Sequence, residues 1–177
     1  MRELEAQVGR VLQAGIVPSH FDSHQHVHCL PGMWRIILDL ARKYHVPYVR
    51  LPRFDSLRAD ATVVQSIVRA GVNVMAWLRR QASVAEVRHA DHMRGFAFSG
   101  RMTAPRLLSI LNNVHPGLTE VMVHPGLPDE DLRRRYVKWK GFSWEEDLEA
   151  VTNREVIDLC RAGGFTLSSF AGSQRGL

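Results

Sequence analysis

Val17-Pro18-Ser19-His20-Phe21-Asp22-Ser23-His24-Gln25-His26-Val27-His28 is the stretch on which the reading of this chain turns. Ile16 to Asp22 is short and β-compatible, and from His20 onward four histidines and a carboxylate crowd into nine residues. Pro31-Gly32 follows, and then Met33 to Tyr44 reads as a helix with Trp34, Ile37, Leu38 and Ala41 at helical spacing. A short strand that ends in a polar cluster and then feeds an amphipathic helix is the opening of a β–α unit.

The pattern repeats outward from there. Upstream, Met1 to Gly15 is helical, with Leu4, Val8, Val11 and Leu12 on one face and Gly15 placed to end it. Downstream, Val46 to Leu51 is a second strand closed by Pro52, and Thr62 to Ala70 is a helix with Gly71 as its stop. Val72 to Leu78 fits strand or helix. Ala104 to Leu111 is a helix, and Thr119 to Val123 is an apolar strand running straight into His124-Pro125-Gly126. Trp144 to Ala150 and Asn153 to Ala162 are helical, and Phe165 to Phe170 is a last strand. Strands alternating with helices predict an α/β fold with parallel strands, either a barrel or an open wound sheet. In both, chemistry gathers at the C-terminal strand ends, where the Asp22 and His124 clusters fall.

Composition narrows the function classes. The chain has 177 residues, 45% apolar and 23% charged, enough to bury a core and too apolar for general disorder. The length suits one domain, residues 1–177, or the larger part of one. A net charge of +5 does not make a nucleic-acid binder, and Arg133-Arg134-Arg135 reads as a solvated helix face. Two cysteines, Cys29 and Cys160, imply no disulfide framework and point to a reducing cytoplasm. No apolar run reaches the roughly 20 residues of a membrane span. The charged, periodic N-terminus is not a signal peptide. A chain that starts inside an amphipathic helix, with no strand before it, leads us to expect a segment upstream.

If the first cluster stays extended, Asp22, His24, His26 and His28 share one face and converge. That is the arrangement of a metal or catalytic site, the alternatives being a histidine-rich surface loop or satisfied structural histidines. His124 is delivered by an apolar strand into a loop that Pro125 stiffens and Gly126 lets turn sharply. It suits a general acid or base, or a structural histidine in a tight turn. His115-Pro116-Gly117 repeats the tripeptide at the other end of the sheet and reads as a turn. Asp91 leads into the glycine-bracketed loop Gly95 to Gly100, so Asp91 and Phe96 are pocket candidates, as is His28. Cys29 reads as a small buried residue.

Pro18 to His28 followed by Pro31 resembles the signature of the YdjC-like carbohydrate deacetylases, the ChbG/HpnK family. Glu120-Val121-Met122-Val123-His124-Pro125-Gly126 is similar to its second signature, and Ser99-Gly100 and Gly164 to Phe170 also look like family segments. The resemblance implies a distorted (β/α) barrel that removes acetyl groups from N-acetylated oligosaccharides or glycolipid sugars. It also implies a divalent ion, Mg2+, with His24 as a ligand; imidazole with carboxylate suits Zn2+ as well, and the cluster itself offers His26 as a further ligand. His124 becomes a catalytic or substrate-contacting group, and Asp22 a catalytic residue that orients the site. The family's Asp-Asp-Phe-Gly segment, its early metal histidine and its catalytic base have no counterpart here. About 100 N-terminal residues of the family, including its first strands, are therefore expected to be absent, and the chain to be its C-terminal portion. Weak ion binding and little acetate release are expected of the chain alone, and a homodimer is one expected assembly. The competing class is a non-catalytic relative that binds sugar or a partner chain.

Overall fold

The computed structural model describes residues 2–52, 63–81, 86–127, 129–136 and 142–172. The chain divides into two compact units, the first Met1–Pro52, Asp60–Ala90 and Ser168–Leu177, the second Arg53–Ala59 and Asp91–Leu167.

In the first unit, α1 (Arg2–Gln13) carries Glu3 and Glu5 in its first turn and Arg10 in its last, which suits the helix dipole. It ends where Gly15 takes a φ of +77°. Next, β1 (His20–Phe21) pairs in parallel with β2 (Tyr48–Val49), His20 beside Tyr48 and Phe21 beside Val49. Helix α2 (Met33–Lys43) is the crossover between them. Its stripe of Trp34, Ile37, Leu38 and Ala41 is buried with Cys29, Val46, Val49 and Val87. At about 1.5–3 kcal/mol for each large side chain removed from water, this stripe fixes α2 over the two strands. Helix α3 (Val63–Gln81) runs straight through Gly71, so the expected stop does not form. One internal glycine costs about 1 kcal/mol against alanine, which a helix of 19 residues absorbs.

The second unit repeats the design. Here β3 (His92–Arg94) and β4 (Thr119–Val121) pair in parallel, with α4 (Ala104–Leu111) as the crossover. Helices α5 (Glu130–Arg135), α6 (Trp144–Thr152) and α7 (Arg154–Ala162) follow. The core joins Leu107, Ile110 and Leu111 of α4 to Met102, Ala150 and Val156. Strand β3 adds an element to those expected, directly ahead of the glycine-bracketed loop. Gly95 ends it at φ +85°, where a Cβ would stand 2.5 Å from the Met122 carbonyl oxygen. Only glycine fits there.

Parallel strands joined by helices place the chain in the α/β class. The described strands form two separate parallel pairs, and no barrel is closed among them. The expected strand Phe165 to Phe170 does not form; Phe170 instead packs its ring against His20 and Tyr48, with centroids 4.6 and 5.0 Å away. The arginines of α5 are exposed and pair with Glu145 and Asp131, as a solvated face should. No described helix is long and apolar enough to cross a membrane.

Candidate functional site

The first cluster is not extended. After β1 the chain winds into tight 3₁₀ turns over His24–Cys29, with Gln25 and His26 left-handed at φ 52° and 57°. Two adjacent non-glycine residues in that region cost on the order of 1–3 kcal/mol each, so the surroundings must hold them there. The face shared by alternate residues is therefore lost, and convergence is achieved differently. Asp22, His26 and His28 each offer a ligand atom within 4.8 Å of the others, whereas His24 is exposed and lies outside that group.

Asp22 is the hub. Its carboxyl accepts the Ser23 N–H at 2.7 Å, lies 3.6 Å from His26 Nδ1, and forms an ion pair with the Arg50 guanidinium. Burial by itself would raise this carboxyl, but the nearby His26 imidazole and the charge of Arg50 outweigh it and hold Asp22 below the usual range. Arg50 went unnoticed in the sequence. It follows β2, and its N–H donates to the Phe21 carbonyl at 2.9 Å, so parallel pairing delivers it beside Asp22.

His28 belongs to the same network from the inside. It is 2% exposed, and its ring is enclosed within the unit. Its Nε2–H donates to the Arg50 carbonyl at 2.8 Å, and its Nδ1 accepts from the Ser23 hydroxyl at 2.6 Å. The same hydroxyl accepts the His28 N–H at 3.0 Å. Burial lowers the imidazole below its ordinary value, against the partial opposition of the Arg50 carbonyl. Beside it, burial pushes the Cys29 thiol up to about 12, which removes a thiolate ligand at neutral pH.

In the second unit His124 follows β4, and its backbone N–H donates to Asp147 of α6 at 2.7 Å. Its ring meets Phe142 edge-on, with centroids 5.3 Å apart. Gly126 keeps a negative φ, so the sharp turn expected of it is not its role. It admits a close approach instead, since a Cβ there would stand 3.1 Å from Trp144 Cβ.

The sequence profile of the YdjC-like protein family matches residues 1–162. The chain belongs to the YdjC-like family. It is 32% identical over 145 residues to a mouse carbohydrate deacetylase, covering 71% of this chain and 44% of that protein. Carbohydrate deacetylases of Vibrio cholerae and Thermoanaerobacter pseudethanolicus are 28% and 23% identical over 96% of this chain, and 56% and 57% of theirs. The chain thus spans about half the length of the curated relatives it matches.

Within this YdjC-like chain, Phe96 opens a 3₁₀ turn just after β3 and is half-buried, on the same side of the strand pair as His124. Asp91 precedes β3 and so lies at the opposite end. Its carboxyl accepts the Leu118 N–H at 3.0 Å and clasps the His115–Gly117 turn. Asp147 was missed altogether. Its one signal is spacing: a carboxylate standing at i+3 from Trp144, in step with Val151.

Proposed function

We propose that the chain supplies the metal-binding turn and the acid–base histidine of a carbohydrate N-deacetylase. The observation that carries this reading is the gathering of Asp22, His26 and His28 in a chain of the YdjC-like family. Imidazole with carboxylate is a fitting donor set for a divalent ion such as Mg2+ or Zn2+. His28 has both ring nitrogens committed to Ser23 and Arg50, so the donors left in the group are Asp22 and His26. The family resemblance implies His24 as a further ligand, although it lies outside that group, on the exposed side of the same turns. When bound, such an ion supplies Lewis-acid polarisation of an acetamide carbonyl and of water.

The chain's own residues contribute orientation and a proton donor. Asp22, kept ionised by His26 and Arg50, orients the histidine turn. His28 and Ser23 hold that turn against β2. Once a water oxygen has added to the acetyl carbon, its proton taken by the base that the resemblance assigns to the family's Asp-Asp-Phe-Gly segment, His124 protonates the sugar nitrogen as the C–N bond breaks, so that the amine departs neutral and the acyl group leaves as acetate. Phe96 is proposed as an apolar wall for the sugar, and the class of substrate is an N-acetylated oligosaccharide or glycolipid sugar. A barrel built from the remainder of the family's strands, in a cytoplasmic protein, completes the proposal.

The test has two arms. Calorimetric titration of the 177-residue chain with Mg2+ or Zn2+ should detect binding that His24→Ala removes. A fusion carrying the Asp-Asp-Phe-Gly segment of a relative should release acetate from N-acetylglucosamine oligomers only with the ion present. Ion binding untouched by substitution of both His24 and His26, or a fusion without acetate release, would overturn the reading.

A further inference from the structure

Asp147 takes no part in the reaction as proposed, yet the His124 loop hangs from it. It is 0% exposed in the first turn of α6. Buried carboxyl groups persist when their oxygens are hydrogen-bonded, and both of these are. One oxygen accepts the Met102 N–H at 2.8 Å and the other the His124 N–H at 2.7 Å. Met102 lies on the segment leaving β3 and His124 on the segment leaving β4. One side chain therefore ties together the two chains that emerge from the C-terminal ends of the parallel pair.

Other contacts align with this clamp. The Gly126 N–H donates to the Trp144 carbonyl at 3.2 Å, and the Ser143 N–H to the Gly100 carbonyl at 2.6 Å. Phe142, immediately before α6, is the ring against which His124 stands at 77°. The start of α6 thus touches His124 twice, through the Asp147 carboxyl on its backbone and through the Phe142 ring on its side chain.

We infer that Asp147 is a positioning residue that fixes the backbone of His124 and, through it, the point from which the imidazole delivers its proton. This rests on the acid role proposed for His124. Asparagine has the same shape but replaces one acceptor oxygen with an NH2 donor facing an N–H, so Asp147→Asn breaks one bond and keeps the volume.

The experiment is NMR on the isotopically labelled 177-residue chain. In the unsubstituted chain, scalar coupling across the hydrogen bond should link the His124 amide nitrogen to the Asp147 carboxyl carbon. In Asp147→Asn, the His124 ring resonances should move relative to Phe142, and the His124 and Met102 amides should exchange about tenfold faster or more. Amides of α4 and α7 should keep their protection, and Glu149→Gln on the exposed side of α6 should change none of these. Absent coupling overturns the inference even where the Asn variant does not fold. So do unmoved His124 ring resonances beside faster amide exchange, because Asp147 would then support the fold only. Failure of the underlying reading looks different: the coupling and ring shifts appear as expected, yet His124→Ala in the active fusion keeps full acetate release.

Discussion

The turn at Asp22–His28 and the loop at His124–Gly126 each follow a parallel strand, yet they are held in opposite ways. In the first, several side chains hold one another as well as the backbone: Asp22 meets Arg50 and His26, and His28 meets Ser23 and the Arg50 carbonyl. The backbone there is strained, with left-handed Gln25 and His26. In the second, a buried carboxyl holds the backbone N–H of His124. A donor cluster that binds a small cation gains from several convergent side chains. A proton donor gains from one ring whose backbone cannot shift. The two anchoring styles accordingly match the two roles proposed, and they should fail differently under substitution.

The largest effects should separate the two regions outright. His124→Ala in the active fusion is expected to lower kcat by about 10²–10⁴-fold, the range for losing a general acid or base. Metal content, read by atomic absorption, should barely change. His24→Ala should do the reverse and abolish ion retention while the fold survives. Loss of the ion from the His124 variant would make it a ligand and erase the division of roles. Next in size, His26→Ala should weaken ion binding by about 10–100-fold, as expected for a residue that supports or joins a ligand set. Calorimetry on the chain checks this, and unchanged affinity would show that the group at Asp22 leaves His26 out.

Ser23→Ala sharpens the comparison from the structural side. It strips the buried His28 of its Nδ1 partner and of the acceptor for its N–H. Leaving buried polar groups unpaired costs about 1–3 kcal/mol each, so the melting temperature should fall by several degrees. The loss should appear in amide protection of α2, which packs on this turn, before it appears in α4. Equal loss in both helices would mean that the serine supports more than the first unit.

What the sequence made legible follows the length of each signal. Helices α2, α4, α6 and α7 were readable because three or more apolar residues recur on one face of each. The order of strand and helix followed, and with it the α/β class. Strands were legible unevenly: β1, β2 and β4 fall within expected strands, whereas β3 was not among them, and the expected strand at Phe165 to Phe170 has apolar residues but no paired neighbour among the described strands. At the site, residue types marked segments that do follow strand ends: Asp22 and His26 come after β1 and His124 after β4. Their geometry was hidden, because left-handed Gln25 and His26 are set by tertiary bonds rather than by propensity. Arg50 and Asp147 were invisible for the same reason, each acting across 20 or more residues of chain on a partner that only folding supplies.

The smallest predicted effect is a pH dependence of the first unit. His28 and His89 are both held below the ordinary imidazole value, chiefly by burial, while bonds to the carbonyls of Arg50 and Val49 oppose it. The nearby charge of Arg80 adds to the lowering at His89. The unfolded histidines take up protons near 6.5, whereas the folded ones resist until lower pH. Between those two values the unfolded state binds more protons, so this contribution is complete above 6.5 and declines as pH falls through the window. Asp22 follows only in stronger acid, its stabilisation being present above 3.8 and lost as pH drops through its lowered folded value. Each histidine contributes at most about 1.4 kcal/mol per pH unit. Hydrogen exchange of α2 amides at pH 7.5 and 5.5 measures the effect, and protection should be weaker at the lower pH. His89→Gln, which keeps a donor for the Val49 carbonyl but cannot titrate, should flatten that dependence. If the variant retains the full slope, His28 alone carries it, and the resistance to protonation belongs to the histidine turn rather than to the core beneath Trp34.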